Sequence, residues 1–162
     1  MTYLLIITFV LCSIYFFLFC FLPIFFGKEM DKISKKAVSS VIIILAVSFF
    51  VYYLSFTISN IEIANRILHI FGGGFLAFLV CFLAVYDGRL KINKFQFFIF
   101  AVLSVTALGV INEIIEFFLQ NYAHMIMAPD INDTWLDLIC NTIGLIFASL
   151  IFVPFVNRQK IK

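Results

Sequence analysis

Gly109-Val-Ile-Asn112-Glu113-Ile-Ile-Glu116-Phe-Phe-Leu-Gln120 and, after a short polar joint, Asp133-Thr-Trp-Leu-Asp137-Leu-Ile-Cys-Asn141-Thr-Ile-Gly144 decide how this chain reads. Most of the residues between the polar ones suit a lipid environment. Yet the two segments carry four carboxylates and several amides. An ionised side chain costs about 2.5–3.5 kcal/mol at the centre of a spanning helix on insertion scales, so acids in such segments point first to function.

The rest of the chain supports the membrane reading. Of 162 residues 64% are hydrophobic, 23 of them Phe, which is more apolar surface than a soluble domain of this length can bury. About twenty consecutive apolar residues suffice to cross a bilayer as a helix. The runs predict an all-α, polytopic transmembrane bundle in a single domain, 1–162, with five spanning helices over about 2–26, 38–58, 63–86, 96–120 and 133–156. Residues 1–62 then hold two framing helices and connectors, and 63–156 a three-helix core. Residues 1–26 lack a basic leading segment and form too long an apolar run for a signal peptide, which predicts a retained spanning helix.

Cys12, Cys20, Cys81 and Cys140 all fall inside apolar runs and read as small hydrophobes. No CxxC, P-loop, GxSxG or HExxH occurs, and no basic patch suited to nucleic acid.

Charge sets the orientation. Lys28, Lys32, Lys35 and Lys36 stand in the first connector, Arg89, Lys91 and Lys94 in the third, and Arg158, Lys160 and Lys162 at the C-terminus. With five helices these regions share one side and hold ten of the eleven basic residues; only Arg66 lies on the other. Because basic connectors stay in the cytoplasm, the N-terminus is predicted outside and the C-terminus inside the cell membrane. Glu62, Glu113, Glu116, Asp130, Asp133 and Asp137 sort to the outer helix ends instead. Acids contribute little to topology, so an outward-facing site is the natural reason.

Successive helix residues are rotated by about 100°, so spacings of three, four and seven share a face. Gly109, Glu113, Glu116 and Gln120 form such a stripe, flanked by Asn112; Asp133, Asp137, Asn141, Gly144 and Ala148 form another; Glu62, Arg66, His69, Gly73 and Ala77 a third. At about 1.5 Å rise per residue, His69, Glu113 and Asn141 lie at a common depth below the outer helix ends. The small residues Gly73/Ala77 and Gly144/Ala148 predict close approach of two of these faces. Gly72-Gly73-Gly74 predicts a loosened or kinked helix beside His69. Carboxylates crowded in low dielectric must share protons, pair with Arg66 or His69, or bind a cation. The donor set His69, Glu113, Glu116 and Asp137 admits a divalent cation, with no spacing that singles one out.

Blander roles stand beside these. Asp130 or Asp133 suits an N-cap; Trp135 suits an interface anchor, and His124 an interface position. Glu62 could pair with Arg66 at i+4. Asp87-Gly88-Arg89 reads as a turn in a cytoplasmic connector. A purely structural hydrogen-bond network among the acids would return little, since such bonds average about 0.6 kcal/mol in membranes.

A His near the start of one membrane helix, a G-x-x-x-E-x-x-[Q/E] helix and a D-x-x-x-N-x-x-G helix together resemble the VanZ-like family of small polytopic membrane proteins. The carriers are His69; Gly109 with Glu113 and Glu116; and Asp137 with Asn141 and Gly144, within residues 63–152. Glu116 stands where VanZ itself is expected to have Gln, and an Arg that members often carry before the Asp motif is missing from 121–132, so the resemblance is to a sister subgroup. It implies a cell-envelope role of the type seen in low-level resistance to teicoplanin-type glycopeptides, without an agreed reaction.

Three functions are consistent with these residues. One is a binder whose outer-leaflet pocket takes a lipid-linked envelope precursor or an amphiphilic antibiotic, with Arg66, Asn112, Gln120, Asp133 and Asn141 as ligand contacts. The second is a metal-assisted hydrolase or transferase on such a molecule. There His69, Glu113, Glu116 and Asp137 would be the catalytic or metal-binding groups and Arg66 a phosphate clamp. The third, an ion-coupled transporter, is disfavoured, because the inner helix halves hold only Ser and Thr such as Ser48, Ser104, Thr106, Thr142 and Ser149.

Overall fold

Every backbone polar group in a bilayer must be satisfied within the chain, and apolar runs of this length meet that demand as helices. The computed structural model describes residues 2–27, 35–122, 124 and 131–156, and among these it contains helices and no strand. We label the five long helices α1 (Thr2–Phe25), α2 (Lys35–Phe56), α3 (Ile61–Asp87), α4 (Lys94–Tyr122) and α5 (Ile131–Phe152). A short 3-10 turn, Val153–Phe155, follows α5. All five are long and apolar enough to cross a membrane.

Local chemistry sets the helix ends. Asn60 caps α3, its side chain accepting from the Ile63 backbone N–H at 3.1 Å. At α4, Asn93 and Gln96 form a reciprocal capping box: each side-chain oxygen accepts from the other residue's backbone N–H, at 2.8 and 2.9 Å. That pair starts α4 two residues earlier than the apolar run alone predicts. α1 stops at Gly27, whose φ of +66° suits a residue without a side chain. Asp130, a candidate cap for α5, lies outside the described residues, as do Lys28, Lys32 and the C-terminal basic cluster.

α3 is the central helix. Half of its apolar window is buried, against a third or less in the other four, and it touches all of them. Its inner half packs Leu76, Phe78, Val80, Cys81 and Ala84 into the core. There Phe152 of α5 meets Phe75, Phe78 and Phe82, and Phe97 of α4 stands edge-on to Phe78 at 5.5 Å. Large exposed hydrophobics such as Phe17, Phe49, Leu103 and Leu150 ring the outside, as a lipid-facing surface requires.

The glycine triplet has a definite outcome. Residues His69–Leu76 wind as a π-helix between α-helical Ile61–Leu68 and Ala77–Asp87. π-helical turns are rare, usually single, and frequent at functional sites. The wider winding brings Gly73 and Gly74 together onto α5, where a strict α-helical period would bring Gly73 and Ala77. A Cβ on Gly144 would stand 1.8 Å from the Ile70 carbonyl oxygen, and one on Gly74 2.2 Å from the Asn141 carbonyl oxygen. The two backbones therefore cross in contact, which only glycine permits.

Candidate functional site

At the end of the bundle where α3 and α5 begin and α4 ends, these three helices bring their polar stripes together. Asp137 is the hub, almost fully buried. Its Oδ1 accepts from Arg66 Nη1 and from Asn65 Nδ2 at 3.2 Å, and its Oδ2 lies 3.3 Å from His69 Nε2. The other terminal nitrogen of Arg66, Nη2, binds Asp133 Oδ1. One guanidinium thus forks across two successive turns of α5. Arg66 turns to these two aspartates rather than to Glu62, which is exposed. Asp133 sits in the first turn of α5, where a carboxylate also meets the positive helix end.

Glu113 and Glu116 face this group from α4, and both are buried. Asn112, one turn before Glu116, donates to its Oε1 at 2.7 Å. Glu113 is different. Thr134 and Asn112 stand beside its carboxylate, yet neither oxygen reaches hydrogen-bonding geometry with any described residue. Donor atoms of His69, Glu113 and Asp137 all lie within 4.8 Å of one another, the one such His/Cys/Asp/Glu group among the described residues.

Beneath the acids, the Asn141 side chain wedges between helices. A Cβ on Gly73 would meet its Oδ1 at 2.0 Å and one on Gly109 its Nδ2 at 3.1 Å. Gly73, Gly109 and Asn141 together form the floor of the cluster, and Asn141 Oδ1 is buried without a partner. Gln120, one turn outward of Glu116, is exposed, as is His124 in the connector beyond. Trp135 points outward at 63% exposure, as an interface anchor does.

Two clefts flank the cluster. A groove of about 310 Å³ runs between the outer ends of α2 and α3, lined by Tyr52, Ser55, Phe56, Ile58, Ile61, Ala64, Asn65 and Leu68. A smaller one, about 110 Å³, lies between α4 and α5 and reaches Gly109 and Asn141. Asn65 borders both the larger groove and the Asp137 carboxylate.

The family described as predicted membrane protein (DUF2238) matches residues 2–158. The chain belongs to this family. The match spans all five helices, including the framing pair α1 and α2 that carries no polar signature of its own. No curated protein and no solved structure matches the chain.

Sequence reasoning passed over two features. Asn65 lies one turn before His69 on the same face, a spacing that could have exposed it. Asp87, expected in a connector turn, is the last residue of α3 and is buried, its Oδ2 accepting from Tyr15 and Ser40 at 2.6 Å each. The signal was a tyrosine and a serine in the apolar runs of α1 and α2; these three residues tie the framing helices to α3.

Proposed function

We propose that this protein binds an amphiphilic molecule of the cell envelope at the outer leaflet of the cytoplasmic membrane. The supporting observation is the shared position of Asn65, which borders an apolar groove on one side and the Asp137 carboxylate on the other. An acyl or prenyl chain fits the Phe56, Ile61 and Leu68 walls, while its polar head lies toward Asn65 and the acids. Four carboxylates against one arginine favour a head that carries positive charge or brings a cation. The basic connectors support a groove mouth on the outer side. On this reading the VanZ-like motif residues form the head-binding end, and the ligand belongs to the class of lipid-linked precursors or amphiphilic antibiotics. A resistance role against teicoplanin-type glycopeptides rests on the motif resemblance.

Native mass spectrometry of protein released from membrane-derived nanodiscs tests this. Wild type should carry amphiphile adducts that Ala64→Trp, which fills the groove, removes. Bare wild-type protein, or equal adducts on both, would refute the reading.

A second reading, metal-assisted hydrolysis or transfer on a lipid-linked substrate, draws support from the convergence of His69, Glu113 and Asp137. Arg66 is a poor phosphate clamp in it, because both terminal nitrogens of its fork are taken by aspartates.

A further inference from the structure

We propose that His69, Glu113 and Asp137 hold a divalent transition cation of the zinc class, one ligand from each of α3, α4 and α5. The inference goes beyond the amphiphile reading, and the two can fail separately.

Three observations support it. The first is the unpartnered carboxylate of Glu113, more than nine-tenths buried and aimed into the space shared with His69 and Asp137. Leaving a buried acceptor unpaired is costly, and more so when the group is charged. Protonation removes the charge, but the neutral acid's O–H then needs an acceptor in turn. A cation gives the carboxylate a charged partner without calling for a further acceptor.

The second is geometry. Zinc bonds to histidine nitrogen and carboxylate oxygen are about 2.0–2.1 Å, so two ligands on a tetrahedral ion stand about 3.3 Å apart. His69 Nε2 and Asp137 Oδ2 are 3.3 Å apart. Glu113 offers an oxygen within 4.8 Å of both and supplies the third corner. One imidazole with two carboxylates suits zinc-like ions better than magnesium, which prefers oxygen alone. Three protein ligands leave a fourth position for water or for a ligand head group.

The third is the surrounding shell. Asp137 Oδ1 is held by Arg66 and Asn65, which orients Oδ2 toward His69. Hydrogen bonds of this kind fix first-shell ligands in metal sites. With a dication bound, Arg66 and the ion together leave the four carboxylates with at most one net negative charge.

Cobalt reports such a site directly. Full-length protein in detergent, stripped by chelator and titrated with Co²⁺, should develop visible absorption that saturates at one ion per chain and is displaced by Zn²⁺. Glu113→Gln should weaken Co²⁺ binding by roughly tenfold or more, since even outer-shell losses can cost that much. Glu62→Gln, at an exposed position outside the cluster, should leave the spectrum unchanged. Glu113→His keeps a ligand of similar reach but replaces oxygen by nitrogen, so it should retain saturable binding with shifted cobalt bands. It also serves if Glu113→Gln does not fold. No saturable spectrum in wild type, a spectrum unchanged in Glu113→Gln, or cobalt bands in folded Glu113→His identical to wild type would each overturn the proposal. Loss of amphiphile adducts in Ala64→Trp with an intact cobalt spectrum would separate this site from the groove.

Discussion

Two residues carry unequal weight at the helix crossing. Gly144 faces backbone: an added Cβ would lie 1.8 Å from the Ile70 carbonyl, which cannot move without shifting α3. Gly73 faces the end of the Asn141 side chain, which can swing away. Overpacking costs about 1–3 kcal/mol and sometimes more, so Gly144→Ala should fall at the top of that range and Gly73→Ala near the bottom. Thermal unfolding in detergent checks the order, and a Gly144→Ala protein as stable as wild type would contradict the backbone contact. Arg66 offers a second test. Removing one partner of a buried ion pair costs about 3–5 kcal/mol, and Arg66→Gln strands both Asp133 and Asp137. Adding Asp137→Asn to that variant should recover part of the loss, because one orphaned charge disappears. A double-mutant cycle with no coupling would mean the fork contributes nothing.

The five spans could be read to within a few residues from apolar run length, because bilayer thickness leaves little freedom in how long a helix must be. The common depth of His69, Glu113 and Asn141 was legible from helical rise, and Asp137 from sharing a face with Asn141; that His69, Glu113 and Asp137 draw within 4.8 Å of one another needed the structure. The π-helix was not legible. A triple glycine says that the backbone is unconstrained, but which winding it adopts depends on α5 pressing against it. Asp87 was misread for a related reason: a D-G-R sequence is a turn signal in isolation, and only Tyr15 and Ser40, remote in sequence, make that aspartate a buried acceptor. Hydrogen bonds to a charged group contribute about 1.5–3 kcal/mol, so Tyr15→Phe should loosen the framing pair by that order. Faster protease cleavage in the connector between α1 and α2 would register it; unchanged cleavage and melting would show the contact to be idle.

As a whole the molecule is a membrane bundle divided by depth. One half is an aromatic core around α3, and the other, where α3 and α5 begin, gathers the acids, Arg66 and His69 between α3, α4 and α5. Low dielectric makes that cluster expensive unless every charge is answered. The described hydrogen bonds answer all its acids but Glu113, which is why a cation is proposed there.

The outward placement of this cluster is the central claim, and it rests on the basic connectors. Thiol labelling of intact cells with a membrane-impermeant reagent tests it most directly. Asn121→Cys, exposed at the outer end of α4, should react in intact cells, and Lys91→Cys, between α3 and α4, only after permeabilisation. The reverse pattern would turn the site to the cytoplasm and contradict the account.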